Sequence, residues 1–267
     1  MSQHKETSSN SALGQVILVG AGPGDPELLT LKAVRALESA DVVLFDSLVS
    51  AEILEFVKST ARTICVGKRG GRPSCKQEDI HAMMLRFARQ GKRVIRLKSG
   101  DPMIFGRAGE EIAMLKAEGI AVQVIPGVTA ALAAASNLGV SLTHRGCAQG
   151  VKFITAHSRL GELPDLDWRA CADNQTTLMV YMGARTAPKL AQALLEQGTS
   201  GSLPVMIAKG VSRESEEISY HRLEDLLALT IEREMPVLLG LGRVFEEQCC
   251  AFERAQEDMP ALIARAV

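Results

Sequence analysis

The chain has 267 residues, 46% of them hydrophobic and 23% charged, with a formal net charge of −1. That length and apolar share can bury a sizeable core in one large domain or two smaller ones. The near-neutral balance removes any field-level reason to expect nucleic acid or a membrane surface as partner, and no apolar run approaches the roughly 18 residues of a membrane span.

Met1 to Ala12 is polar and serine-rich. It lacks the basic-then-apolar layout of a secretory leader and is expected as a frayed tail. An apolar run from Val16 to Val19 ends in Gly20-Ala21-Gly22-Pro23-Gly24. Asp25 then reads as an N-cap and Pro26 as the first helical residue, with Leu28, Leu31, Val34 and Leu37 on the apolar face. Val42 to Phe45 reads as a buried strand ending at Asp46, and Thr63 to Val66 as another, closed by Gly67-Lys68-Arg69-Gly70-Gly71. Gln77 to Arg89 is helical by pattern. Val94 to Leu97 is a strand closed by Lys98-Ser99-Gly100-Asp101-Pro102. Gly109 to Glu118 is a helix, Val122 to Ile125 a strand, and Pro126-Gly127 opens the alanine-rich helix Val128 to Asn137. This alternation predicts an α/β domain with a largely parallel sheet.

Around Gly139 to Gly150 the pattern breaks, and a second α/β series follows. Its strands fall near Val151–Thr155, Thr177–Tyr181, Val205–Ala208 and Val237–Leu241, and its helices at Ala187 to Gln197 and Leu223 to Leu229. Glu214 to Tyr220 is a candidate antiparallel strand. The expected division is a tail over 1–12, an N-terminal α/β domain over 13–145, a C-terminal α/β domain over 146–248 and a tail over 249–267.

Several glycine-rich turns follow strands: Gly20–Gly24, Gly67–Gly71, Gly100-Asp101 and Pro126-Gly127. In an open parallel sheet such loops gather on one edge and build the ligand crevice. The first imitates a dinucleotide turn, with Asp46 near the position of a ribose-binding acid. Its sixth position is Asp25 rather than glycine, however, and Pro23 removes a backbone donor. Basic residues sit beside these turns: Lys68, Arg69, Arg72, Arg96, Lys98, Arg107 and Arg145. Such a cluster suits a ligand with several carboxylates, which arginine grips in bidentate fashion. Arg107 and Glu110 lie three apart at a helix start and share a face, a spacing that a local ion pair or a helix-dipole partner would explain. The six cysteines show no C-x-x-C spacing and read as free thiols of a reducing cytoplasm, and the five histidines offer no zinc pattern.

Together these segments resemble the S-adenosylmethionine (SAM)-dependent tetrapyrrole methylases, and within them the uroporphyrinogen-III C-methyltransferases. The resemblance runs from about Val16 to Val244. It is carried by V-G-A-G-P-G-D-P-E-L-L-T from Val19, F-D-S-L-V from Phe45 and V-G-K-R from Val66. R-L-K-S-G-D-P-M-I-F-G-R-A-G-E-E follows from Arg96 and I-P-G-V-T-A-A from Ile125. S-L-T-H-R from Ser141, T-A-H from Thr155 and Y-M-G from Tyr181 complete it. The resemblance implies two α/β domains with SAM in the cleft between them and no metal. It implies cofactor contacts at Pro23, Ser99, Gly100, Asp101, Ile104, Thr129, Ala130, Met182, Val211 and Val237. It places the tetrapyrrole at Asp46, Lys68, Arg107, Glu110, Arg145, His157, Tyr181 and Met182, with Arg107, Glu110 and Asp46 as the catalytic candidates.

The implied reaction methylates uroporphyrinogen III at C-2 and C-7 to precorrin-2, for sirohaem, cobalamin or haem d1 synthesis, in a cytoplasmic homodimer. A free arginine is a poor base, so Glu110 or Asp46 is the better proton acceptor, and Arg107 suits a substrate carboxylate. Ser99 stands where the family has glycine, Ala108 replaces a further glycine, and Pro236-Val237 replaces Pro-Ala. No dehydrogenase–chelatase pattern is read in the chain, so the fused sirohaem-making form is not expected. Another cobalamin-pathway methylase, a diphthine-type methylase and a non-catalytic tetrapyrrole or SAM sensor are the competing readings; the Asp-Ser-Leu-Val and Thr-His-Arg matches favour the first assignment.

Overall fold

A computed structural model describes residues 13–67, 75–157, 162–232 and 234–266. The chain divides into two compact units, residues 1–129 and 130–267.

The first unit runs β1 (Gln15–Gly20), α1 (Leu31–Glu38), β2 (Val42–Phe45), α2 (Ala51–Leu54), β3 (Arg62–Cys65), α3 (Gln77–Arg89), β4 (Arg93–Lys98), α4 (Ala108–Ala117) and β5 (Ala121–Ile125). Its five strands lie in the order β3-β2-β4-β1-β5. Every pairing is parallel. Because side chains alternate along a strand, each strand feeds two layers. Val16, Leu18, Val42, Leu44 and Val94 pack with Met84, Phe87 and Leu115 of α3 and α4. Ile17, Val19, Val43, Ile95 and Leu97 pack with Ala33, Leu37 and Ile53 of α1 and α2. A sheet covered on both faces explains why its strands read as near-continuous apolar runs.

The first helix differs from its sequence pattern. Asp25 does cap, its Oδ1 accepting from the Glu27 N–H at 2.8 Å, but it starts only the single 3-10 turn Pro26–Leu28. Thr30 then caps again through Oγ1 and the Ala33 N–H at 3.1 Å, and α1 begins at Leu31. The second start resets the helical phase. Leu31 is therefore 74% exposed, and Ala33, Ala36 and Leu37 form the buried stripe.

The second unit contains α5 (Ala130–Leu138), β6 (Gly150–Thr155), α6 (Trp168–Cys171), β7 (Thr176–Tyr181), α7 (Ala187–Glu196), β8 (Pro204–Lys209), β9 (Glu217–Arg222), β10 (Val237–Leu241) and α8 (Glu246–Ala266). Its sheet has the order β6-β7-β10-β8-β9. Only β6 and β7 pair in parallel; β10 and β8 are antiparallel to their neighbours, and β9 is the added antiparallel strand. Leu190, Ala191 and Leu194 of α7 pack with Leu178, Val180, Ile207 and Leu239 on one face.

The units part at Thr129/Ala130, ahead of the boundary expected after residue 145. The alanine helix α5 packs on β10. The Ala131 N–H donates to the Tyr181 hydroxyl at 3.1 Å, and Thr177 Oγ1 donates to the Leu142 carbonyl at 2.7 Å. The glycine-marked break over 139–150 thus lies inside the second unit. Residues 249–266, expected as a tail, belong to α8. Arg222 Nε and Nη2 meet the two carboxylate oxygens of Glu253 at 2.7 and 2.9 Å, and Nη1 meets Glu246 at 2.9 Å.

Candidate active site

The turns that follow β1, β4 and β5 are tied to one another by their backbones. Gly22 and Gly100 exchange hydrogen bonds, Gly22 N–H to Gly100 O at 3.2 Å and Gly100 N–H to Gly22 O at 2.7 Å. Both adopt left-handed φ, +71° and +68°, which glycine reaches without steric cost. A Cβ on Gly20 would lie 2.5 Å from the Gly127 nitrogen, and one on Gly127 would lie 2.3 Å from the Gly100 oxygen. The three turns can meet only without side chains at these positions. Asp101 completes the tie: Oδ1 accepts from the Met103 N–H at 2.8 Å and Oδ2 from the Gly127 N–H at 2.9 Å. Of the expected cofactor contacts in this unit, Pro23 and Thr129 are buried, while Ser99, Gly100, Asp101 and Ile104 are half-buried. Beside Gly100 the space is open, a Cβ there meeting only the Thr129 Cα, at 3.9 Å.

Arg96 and Lys98 correct the reading of a basic cluster turned toward a ligand. They alternate with Ile95 and Leu97 along β4, so they point to the α3/α4 side. Register sets Arg96 between Leu18 and Leu44. Both are buried, and so is Glu111 of α4. Glu111 Oε1 accepts from Arg96 Nε at 3.2 Å, from Lys98 Nζ at 3.3 Å and from Gln77 Nε2 at 3.0 Å. Arg96 Nη2 reaches Asp46 Oδ1, just past β2, at 2.6 Å. Burial pushes the Lys98 ammonium below its usual range, and the Arg96 charge adds to that, while Glu111 and Asp46 oppose it. Lys68, Arg69 and Arg72 lie outside the described residues.

Arg107 is the N-cap residue of α4 and holds a left-handed φ of +56°. Its Nε and Nη2 meet the two oxygens of Glu110 at 2.9 and 2.6 Å, a bidentate pair with both partners about half exposed. The Glu110 carboxylate raises the Arg107 guanidinium above its ordinary value, which moves it further from service as a base. Phe105, two residues earlier, also has positive φ and is exposed.

In the second unit Tyr181, Met182, His157, Val211 and Val237 gather at one end of the sheet, whereas Arg145 lies before β6 in the segment that Leu142 and Gln149 fasten to the opposite end, at Thr177 and Gln175. Strand register sets Tyr181 beside Leu238, and Lys209 beside Val237. Tyr181 is half-buried, with its ring edge-on to Phe153 at 6.0 Å. Its hydroxyl accepts from the first turn of α5, an anchoring role beside the substrate contact expected of it. Met182 follows with φ +57° and an exposed side chain. Val211 is buried beyond β8, and the Gly210 N–H donates to Pro236 O at 2.9 Å, joining that turn to the residue before Val237. Ser212, at φ +59°, is steadied by Glu216 Oε2, which accepts its N–H at 3.1 Å. Ala130 is half-buried, and Arg145 and His157 are exposed. The four non-glycine residues of positive φ among those described are Phe105, Arg107, Met182 and Ser212. Two of these, Arg107 and Met182, are expected site residues, and Phe105 and Ser212 adjoin the expected contacts Ile104 and Val211 in sequence.

A cavity of about 570 Å³ opens at the opposite end of the second sheet, among Thr176, Thr199, Pro204 and Arg243, and no expected contact lines it. Among the described residues no group of three or more His, Cys, Asp or Glu could hold a metal, and no helix is long and apolar enough to cross a membrane. Glu111 escaped the sequence reading, although the adjacent Glu110-Glu111 pair and the two-residue spacing of Arg96 and Lys98 were the signals for it.

The profile of the Tetrapyrrole (Corrin/Porphyrin) Methylases matches residues 15–227. The chain is 48% identical over 237 residues to the chloroplastic S-adenosyl-L-methionine-dependent uroporphyrinogen III methyltransferase of Arabidopsis thaliana, covering 87% of this chain and 64% of that protein. It is 47% identical to siroheme synthase 1 of Yersinia pseudotuberculosis, covering 87% of this chain and 49% of that one. The chain thus spans about half to two thirds of these relatives' length. The crystal structure of uroporphyrin-III C-methyl transferase from Thermus thermophilus complexed with S-adenosylhomocysteine is 42% identical. It superposes with a TM-score of 0.77, covering 87% of this chain and 99% of that one.

Proposed function

The chain belongs to the tetrapyrrole (corrin/porphyrin) methylases, and on that premise we propose that it methylates uroporphyrinogen III at C-2 and C-7, with SAM as donor, to give precorrin-2. The observation that carries the reading is the tie of Gly20, Gly22, Gly100 and Gly127 at the strand ends, in a chain that matches the Thermus enzyme crystallised with S-adenosylhomocysteine.

The residues present fit SAM. The open space beside Gly100 and Thr129 lets a ligand lie against backbone, and the exposed Met182 offers an apolar, polarisable surface. Pro23, Ser99, Asp101, Ile104, Ala130, Val211 and Val237 complete the proposed contacts. When bound, SAM supplies a methyl group already activated by its sulfonium, and transfer to an electron-rich pyrrole carbon leaves S-adenosylhomocysteine. The protein's share is to orient the ring carbon, exclude water and accept one proton from the ring system.

Arg107 orients a substrate carboxylate through the N–H groups of its planar fork that Glu110 leaves unused. Arg145, Lys68, His157 and Tyr181 are proposed as further tetrapyrrole contacts. Asp46 is the stronger candidate for proton acceptor. Both Glu110 oxygens are engaged by Arg107, whereas Asp46 Oδ2 has no hydrogen-bond partner among the described residues. A homodimer acting in a reducing compartment such as the cytoplasm accompanies this reading, supported by family resemblance and by six unpaired cysteines. The product would feed sirohaem, cobalamin or haem d1 synthesis.

Incubation with SAM and uroporphyrinogen III, followed by mass spectrometry, is expected to give a product carrying two added methyl groups. S-adenosylhomocysteine, and not NAD, is expected to raise the melting temperature. Absence of any methylated tetrapyrrole would remove the assignment.

A further inference from the structure

Under the first sheet lie three buried ionisable groups, Arg96, Lys98 and Glu111, that the proposed substrate contacts leave without a task. We infer that Arg96, gripped by Glu111, is the positioning residue that fixes the carboxylate of Asp46 for proton acceptance; the inference rests on the reading of Asp46 as acceptor.

Arg96 is 3% exposed and Glu111 0%. Burying a guanidinium and a carboxylate is costly, and a well-packed apolar pair would serve stability at least as well. What the charged pair adds is direction. Nε of Arg96 donates to Glu111, and Nη1 donates to the Leu97 carbonyl at 3.2 Å and the Leu44 carbonyl at 3.5 Å. The guanidinium is planar, so two ends held in the core fix where the third points. That third end, Nη2, meets Asp46 Oδ1 at 2.6 Å. Glu111 is fixed in turn by Lys98 Nζ, at 3.3 and 3.4 Å to its two oxygens, and by Gln77 Nε2 at 3.0 Å. Two cations and two carboxylates cancel formally, so no net charge is left under the sheet. The Asp46 side chain remains 30% exposed. One of its oxygens is pinned, and the other has no hydrogen-bond partner among the described residues. The chain of contact therefore runs from the starts of α3 and α4, through Glu111 and Arg96, to a carboxylate at the end of β2.

The test is single-turnover methyl transfer from SAM to uroporphyrinogen III by Arg96→Lys, Asp46→Asn and the double variant. S-adenosylhomocysteine affinity and melting temperature are measured alongside. An ammonium keeps the charge but cannot hold Glu111 and Asp46 in one plane, so Arg96→Lys should cut the saturated rate on the order of 100-fold, the effect of misplacing a reacting group by about 1 Å. KM and cofactor affinity should stay within about threefold, and in the Asp46→Asn background the same change should cost less than about twofold, because coupled sites are not additive. Losses that multiply, or a near-wild-type Arg96→Lys, overturn the inference alone. A near-wild-type Asp46→Asn overturns the reading of Asp46 and this inference with it. A wild-type chain inert toward uroporphyrinogen III overturns the proposed activity as well. Should Arg96→Lys fail to fold, Glu111→Gln carries the test with the same expected pattern, since its neutral amide replaces the charged grip on the Nε end of Arg96 and turns donors toward Lys98.

Discussion

Gly127→Ala probes the tie between the three turns with a single methyl group. The added Cβ would stand 2.3 Å from the Gly100 oxygen, 2.8 Å from the Gly20 Cα and 2.9 Å from the Gly20 carbonyl carbon. The first is more than about 1 Å inside an optimal non-bonded separation. All three are backbone atoms, so no side chain can swing aside. Relief requires parting the turns and lengthening the bond from Gly127 N–H to Asp101 at 2.9 Å. Overpacking of this kind costs about 1–3 kcal/mol, and weakening the bond to a charged group adds about 1 kcal/mol. A loss of about 2–4 kcal/mol corresponds to a fall of roughly 4–16 °C in melting temperature for a domain of this size. Gly109→Ala is the control. A Cβ at Gly109 meets nothing within 4 Å, and the residue lies in the first turn of α4 without positive φ. That change should be neutral or stabilising by up to about 1 kcal/mol. Differential scanning calorimetry of both variants, with and without S-adenosylhomocysteine, reads the contrast; Gly127→Ala should also lose the ligand-induced shift. Equal melting temperatures for the two variants would refute the close packing on which the proposed cofactor site depends.

Arg107→Lys should lower methyl transfer about 10-fold or more with cofactor affinity unchanged, since an ammonium cannot replace the fork; transfer near the wild-type rate would return Arg107 and Glu110 to a surface ion pair. Arg222→Ala removes three charge-assisted bonds that hold α8. As both acids are about half exposed, the loss of stability should be modest, with faster amide exchange confined to α8 and β9. Asp41 accepts from the Arg93 N–H at 2.8 Å, and that bond, with Lys58 assisting, holds its carboxyl below the usual value of 3.8. Its stabilising contribution is therefore present above about pH 4 and is lost as pH falls through the lower folded value. Asp41→Asn should melt below the wild type at neutral pH, with the gap narrowing in acid; a gap constant with pH would contradict this.

The parallel sheet was legible because burial on both faces leaves apolar runs, as from Val16 to Val19 and from Val42 to Phe45. Gln77 to Arg89 matched its helix because apolar Ile80, Met84 and Phe87 recur at helical spacing. The glycine turns were legible as a set, but which atoms they bring together was not, for that depends on the distances between Gly20, Gly100 and Gly127 across three strands. Arg96 and Lys98 look like surface charges in the sequence. Their burial follows from Glu111, fifteen residues beyond Arg96, which pairs with them only once α4 folds back on the sheet. In the same way the partners of α8 stand on β9, so its anchoring through Arg222 lay beyond any local pattern. The glycine-rich break over 139–150 suggests a boundary after residue 145, whereas the two compact units part before Ala130, where α5 packs on β10.

Methyl counting with isotopically labelled SAM tests the central claim most directly. The account predicts two labelled methyl groups in each tetrapyrrole formed from uroporphyrinogen III, with two molecules of S-adenosylhomocysteine released. Cofactor binding without label in the tetrapyrrole, or label appearing only in a protein or a later corrinoid precursor, would contradict it.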